Sequence, residues 1–177
     1  ILIGLVGSEM CIRDRSGDTL TGSYSGVFDN ANVATGKTVT ITSVYGGTDL
    51  NNYTITDQPS TTADVMAKAL TATASAANKE YDASSAATTT LTLSGFIGTE
   101  TVTSTNSSTF NNKNVGTGKS VTVNSITLAD GTNGGLASNY SIATGQTTTA
   151  NITPKALTVS GITVSYTHLR AHETNQD

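Results

Sequence analysis

The stretch FDNANVATGKTVT at residues 28–40 returns as FNNKNVGTGKSVT at residues 110–122, 82 positions later. Each version opens on a phenylalanine, Phe28 or Phe110, and runs through Gly36-Lys37 or Gly118-Lys119 into a valine flanked by hydroxyl residues. Outward from this pair the likeness continues. NYTI at 52–55 returns as NYSI at 139–142, which sets Tyr53 and Tyr140 87 positions apart. TADVMAKALT at 62–71 returns as TANITPKALT at 149–158. The spacing grows by five residues between the two matches, and the Gly-rich stretch 129–135 is where a surface loop is expected to absorb them. A repeat of this length is a small domain in its own right rather than a short solenoid unit.

Within the repeat the apolar residues alternate. Leu91 and Leu93 are spaced by threonine, Val121 and Val123 follow the same rule, and Ile126 and Leu128 come next. Tyr140 with Ile142, Ala150 with Ile152, and Leu157 with Val159 repeat the habit. A period of two puts these side chains on one face of a sheet and the threonines on the other. Residues 62–77 alone could be read as helix, from their alanines, but their place in the repeat assigns them to strand. The expected fold is all-β: tandem small β-sandwich or β-grasp-like modules arranged end to end. Residues 16–68 are a truncated first repeat, lacking the counterpart of 69–97; residues 69–155 are a complete second repeat; residues 156–164 begin a third.

The two ends differ from everything between them. Arg13, Arg15, Arg170, His168, His172 and Cys11 all fall within residues 1–15 or 165–177, and residues 16–164 contain no Arg, His or Cys. The start reads ILIGLVGSEMCIRDR and the end SYTHLRAHETNQD. Over residues 1–15 and about 165–174 they resemble translated sequencing adapter of the kind that recurs at the ends of reading frames from short-read assemblies. Residues 1–15 and 165–177 are therefore expected to be non-native, disordered ends on a fragment of a longer chain. Residues 1–6 are too short for a signal-peptide core of about 7–15 apolar residues. No run approaches the roughly 18 apolar residues of a membrane span. On this reading the histidines and the cysteine carry no metal or catalytic argument.

Net charge is −4 and only 12% of residues are charged. A nucleic-acid partner calls for a basic stripe to displace counterions, and a membrane-surface helix calls for a basic amphipathic segment; neither is present in the sequence. Without a histidine or cysteine in 16–164, no base or nucleophile pair of the usual kinds can be assembled, so the chain is expected to be non-enzymatic, with no cofactor. The stretches 29–32 and 130–133 offer oxygen ligands for a hard cation, but Asp, Asn and Gly are also ordinary turn formers and no calcium-loop pattern is completed. Residues 116–119 lack the spacing of a phosphate-cradling loop. Four glycosylation tripeptides, at Asn52, Asn106, Asn139 and Asn151, are expected by chance in a chain so rich in Asn, Ser and Thr.

The motifs KEYDA (79–83), LSGFIGTE (93–100), NVGTGK (114–119), SNYSI (138–142) and TANITPKALT (149–158) resemble the YDG repeat of large bacterial surface proteins, including filamentous-haemagglutinin-like exoproteins. The resemblance covers nearly all of 16–164. It implies a β-rich extracellular module used in series and no catalytic residues. One departure is Ala83, where the family usually has glycine; this weakens any claim that a positive φ is needed at that point. The residues singled out are structural: Tyr81, Asp82, Gly95, Phe110, Gly118, Tyr140, Tyr53 and Phe28. Tyr81 is expected to pack at a strand end with Asp82 closing a turn. Tyr53 and Tyr140 are expected to turn their rings inward and bond backbone through the hydroxyl, as a tyrosine corner does. The expected function is a spacer repeat in a secreted or surface-attached bacterial adhesin, whose partners are the neighbouring repeats of the same chain, with host glycan or protein bound by other regions. The alternative is a repeat that itself binds host glycan or protein, for which Tyr24 and Tyr45 are the spare aromatics.

Overall fold

The structure, a computed structural model, describes residues 17–161. The two expected non-native ends, 1–15 and 165–177, lie outside the described residues. The first repeat supplies β1 (Thr21–Phe28), β2 (Ala34–Gly46) and β3 (Ser60–Val65), joined antiparallel in that order. The second supplies β4 (Lys68–Ala76), β5 (Lys79–Glu80), β6 (Ala86–Ala87), β7 (Thr89–Ser94), β8 (Val102–Phe110), β9 (Gly116–Asp130), β10 (Tyr140–Ile142) and β11 (Thr147–Thr153). Its strands form a five-stranded sheet, β5-β11-β9-β8-β6, and a three-stranded sheet, β10-β4-β7. Single 3-10 turns at Leu50–Asn52 and Ala137–Asn139 are the only helical pieces among the described residues. Residues 62–77, the one helix candidate, are strand on both sides of a break at Met66 and Ala67.

Pairing registers identify β1, β2 and β3 as the first repeat's version of β8, β9 and β11. Phe28 faces Val39 as Phe110 faces Val121. The ladder steps from Ala34–Val65 to Lys37–Ala63 in one copy and from Gly116–Ile152 to Lys119–Ala150 in the other, so a bulge falls at the same place in both. Gly36 and Gly118 sit in these bulges at φ 61° and 59°, a conformation glycine adopts without strain.

The core of the second copy has two clusters. Phe110, Val121, Ala150 and Ile152 form one buried cluster, with Ala76, Tyr81 and Ala87 packed against it. Leu70, Val102 and Tyr140 form another, with Leu93, Phe96, Leu128 and Ile142 around them. Leu70, Leu93 and Tyr140 come from the three-stranded sheet, Val102 and Leu128 from the five-stranded one, so the two sheets bury each other's inner faces in the manner of a small sandwich.

Two expectations are corrected by the strands, and the copies differ at a third place. The extra residues of the second copy do not all lie in 129–135. The β8–β9 ladder slips between Ser107 and Ser108, leaving Asn124 unpaired between Val123 and Ser125. That bulge is one of the inserted residues, and it is why the apolar positions change phase from Val121 and Val123 to Ile126 and Leu128. Residues 53–55 are not a strand, because the strand that pairs with β10, namely β4, has no counterpart in the first copy. Leu157 and Val159 are likewise outside any strand: Leu157 is 88% exposed, while its equivalent Leu70 is 5% exposed. A β4-type segment is buried only when β7 and β10 flank it. No helix among the described residues is long and apolar enough to cross a membrane.

Candidate functional site

The recurring loop between β8 and β9 is built around an asparagine. Asn112 Oδ1 accepts the Asn114 backbone N–H at 3.0 Å and the Lys119 ammonium at 2.6 Å. Asn30 Oδ1 does the same for Asn32 N–H at 2.9 Å and Lys37 Nζ at 2.6 Å. A side chain that closes its own turn in this way replaces a backbone bond the loop cannot make. The bulge that follows is tied down by the next strand: Gly118 N–H donates to Asn151 Oδ1 at 2.8 Å, and Gly36 N–H to Asp64 Oδ1 at 2.7 Å. In the first copy Asp29 adds a carboxylate 2.9 Å from Lys37 Nζ. The Lys37 ammonium, followed by the Asn30 N–H, holds the Asp29 carboxyl below its usual range.

Tyr140 lies in the second cluster. Tyr140 is 5% exposed and packs edge-to-face on Phe96, ring centres 5.8 Å apart at 76°. Its hydroxyl accepts the Ile97 backbone N–H at 3.2 Å and donates to Glu100 Oε2 at 2.6 Å. The expected backbone bond is thus present, joined by a carboxylate that raises the phenol above its ordinary range. Tyr53 is half-buried and donates to Asp18 Oδ2 at 2.5 Å. Asp18 and Glu100 are themselves 82 positions apart, the spacing of the two phenylalanines. The sequence reading placed Asp18 inside the 16–68 repeat but matched the copies only from Phe28 onward, and so missed this pair of acids.

Asp82 pairs with a lysine that sequence reasoning did not single out. Lys79 Nζ donates to Asp82 Oδ1, to Ser84 O and to Ala86 O, each at 2.9 Å, and lies 5.6 Å from the centre of the Phe110 ring. Asp82 Oδ1 also accepts Ser84 N–H at 2.9 Å, so it closes a turn as expected. Lys79 first, then the Ser84 N–H, hold its carboxyl below the usual range. Tyr81 packs on the Phe110 cluster and donates its N–H to Thr153 O at 2.9 Å. Between Asp82 and Ser84 the chain needs a left-handed residue, and Ala83 has φ 64°. The alanine weakened the case for a positive φ in the sequence, and the structure has one all the same: the turn dictates the conformation, and alanine bears it.

The singled-out residues do not converge on one point. Asp82 and Phe110 meet at Lys79, with Tyr81 packed on the Phe110 cluster; Tyr140 lies in the other cluster; Gly118 lies in the bulge at the start of β9; Gly95, φ 99°, follows β7. Phe28 is half-buried beside Val39. Among the described residues no three His, Cys, Asp or Glu side chains gather as metal ligands do. Asp130, from one of the two oxygen-rich stretches, accepts Ala137 N–H at 2.7 Å.

One contact crosses between the copies. Asn139 Oδ1 accepts the Val33 backbone N–H at 2.9 Å, and Asn139 Nδ2 donates to Asn32 Oδ1 at 3.0 Å. It joins the β1–β2 loop of the first repeat to the 3-10 turn of the second.

No curated protein and no solved structure matches the chain. The YDG domain matches it twice, over residues 6–63 and 66–150. The first match begins inside the 1–15 stretch, and the break between the two falls at the end of β3. With two matched segments that together span most of its length, each carrying the same loop, bulge and tyrosine, the chain belongs to the YDG-domain family.

Proposed function

We propose that the chain is a run of non-enzymatic spacer repeats from a large adhesin, secreted or held at a bacterial cell surface. One observation carries this reading: apart from the Asn139–Asn32 contact across the junction, the polar residues at the recurring loop, bulge and tyrosine positions are engaged inside the repeat. Lys119 and Lys37 go to Asn112 and Asn30, Asn151 and Asp64 to the bulge glycines, Glu100 and Asp18 to the tyrosines. A binding module tends to keep its recurring polar groups for a ligand; a spacer keeps them for shape. The copies also follow each other with only Met66 and Ala67 between β3 and β4, which suits a stiff series better than a flexible tether. The proposed partners are neighbouring repeats of the same chain, with host glycan or protein met by other regions, no nucleic acid and no membrane insertion.

The competing reading, a repeat that itself binds host glycan or protein, leans on Tyr24 and Tyr45. Their rings lie 6.0 Å apart at 78°, and Tyr24 is exposed. By strand register they correspond to Asn106 and Leu128 of the second copy. Asn106 bonds Thr89 of β7 and Leu128 packs in the Tyr140 cluster, so both belong to the face that the three-stranded sheet covers. The tyrosine pair is accounted for by the missing second sheet. The test is small-angle scattering on this chain and on a version with one further copy of 69–155 inserted after Lys155. A fixed gain in maximum dimension is expected. No gain, together with glycan-array binding that Tyr24→Ala abolishes, selects the binding reading instead.

A further inference from the structure

We propose that the loop carrying Asn114 and Val115 is the docking surface for the next copy of this repeat, gripped by that copy's counterpart of Asn139, so that the repeats join head to tail through one asparagine clasp at each junction. The junction between the first and second copies supplies the pattern. There the Asn139 side-chain amide meets the β1–β2 loop with its oxygen on Val33 N–H and its nitrogen on Asn32 Oδ1, at 2.9 and 3.0 Å. An amide is both donor and acceptor at one end of a short stem, which matches a backbone N–H beside a side-chain carbonyl.

The second copy presents the same two groups, on Asn114 and Val115, in a loop of the same construction. Asn112 holds Asn114 N–H and Lys119 as Asn30 holds Asn32 N–H and Lys37, and the bulge glycines differ by only two degrees in φ, 59° against 61°. The loop is therefore shaped before any partner arrives, which lowers the ordering cost of docking. Its exposure differs as the proposal requires. Val33, at the occupied junction, is half-buried, while Val115 is 49% exposed.

The loop and the Asn139 turn are different parts of one module, so the contact is heterologous, and repetition extends it into an open series rather than a closed pair. Two hydrogen bonds are too few to hold separate chains together. Between modules tied by a short connector they act at the high effective concentration the tether provides. The clasp thus fixes the angle between consecutive copies and leaves free chains monomeric.

The inference takes from the spacer reading only the presence of a following copy. Hydrogen exchange on the 177-residue chain tests the occupied junction. Val33 N–H should exchange roughly tenfold more slowly than Val115 N–H, the difference one hydrogen bond makes. Asn139→Ala should erase that difference and leave Val121 and Val123 protected; Asn52→Ala, at the equivalent turn of the first copy, should leave Val33 unchanged. The insertion of a further 69–155 after Lys155 needs no substitution: Val115 should then become as protected as Val33. Equal exchange at Val33 and Val115 in the original chain, or no change at Val115 in the lengthened one, overturns the clasp. Scattering on the same lengthened chain separates the two ideas. A longer particle with Val115 still unprotected removes the clasp and keeps the spacer, whereas a protected Val115 without added length keeps the clasp and removes the spacer.

Discussion

Val39 in the first copy and Val121 in the second stand at the same point of the same hairpin, opposite Phe28 and Phe110, and both are buried. A step away the copies part. Ile152 and Ala150 are buried, while their equivalents Val65 and Ala63 are half-buried and exposed. Phe110 and Tyr140 are buried, and Phe28 and Tyr53 only half so. The turn, the glycine bulge and the register beside them are the same in both, since each copy has its own hairpin and the strand that ties the bulge. The burial is different because it comes from β4, β7 and β10, which the first copy lacks. Local motif specifies the hairpin; the second sheet supplies most of the stabilising area.

The largest expected consequence lies at the phenylalanines. Phe110→Ala removes a ring enclosed by Val121, Ala150 and Ile152 and should cost the second copy about 3–5 kcal/mol. Phe28→Ala empties a site that is already half open and should cost the first copy less than half as much. Hydrogen exchange at Val121 and Val39 over a urea series reads the two copies separately. Equal losses would break the comparison, because they would mean that the first copy's core is completed by something other than a second sheet.

Much of this was open to reading in the sequence, and the reason is the repeat. Alternation at Leu91 and Leu93, at Tyr140 and Ile142 and at Ala150 and Ile152 became strands at those places. Even the β9 bulge left a trace, in the slip from odd-numbered Val121 and Val123 to even-numbered Ile126 and Leu128. What the sequence did not reveal depends on distance in space. Alternation at Leu157 and Val159 is the same as at Leu70, and a pattern carries no sign of whether its partner strands are present. Asn139 reads as one more Asn before a tyrosine, and its grip on Val33, 106 positions away, is visible only once the copies are placed side by side. Lys79 was hidden differently: its three oxygen partners include two backbone carbonyls, which have no letter in the sequence.

The opening segment that only the second copy possesses contains a strained residue, and relieving it sharpens the contrast between the copies. Ala83 has φ 64°, where a β-carbon costs about 1–2 kcal/mol. Glycine removes that cost but loses about 0.5–1 kcal/mol more backbone entropy on folding. Ala83→Gly should therefore stabilise the second copy by roughly 0.5–1 kcal/mol, the difference between these opposing terms. It should leave Val39 exchange in the first copy unchanged. A lower urea midpoint for the second copy would show that the Asp82–Ser84 turn does not hold Ala83 at positive φ.

The smallest effect is expected where the two loops differ by one charge. Asp29 pairs with Lys37, and the second copy has Asn111 in its place beside Lys119. Because the Asp29 carboxyl is held below its ordinary value of 3.8, the folded chain binds this proton less readily than the unfolded chain. Its contribution to stability is then present above that ordinary value and is lost as pH falls through the lowered one. Asp29 is exposed, so the contribution is small and salt weakens it. Asp29→Asn should lower the urea midpoint of the first copy slightly at neutral pH and low salt, and the difference from the parent should vanish once the pH falls below the lowered value, where both states are protonated. Asn111→Asp makes the reverse change, giving Lys119 the carboxylate that Lys37 has, and should introduce the same acid-dependent step into the second copy. A difference between parent and Asp29→Asn that persists unchanged at acid pH would mean that the carboxylate acts through its turn geometry, which Asn111 reproduces, and not through its charge.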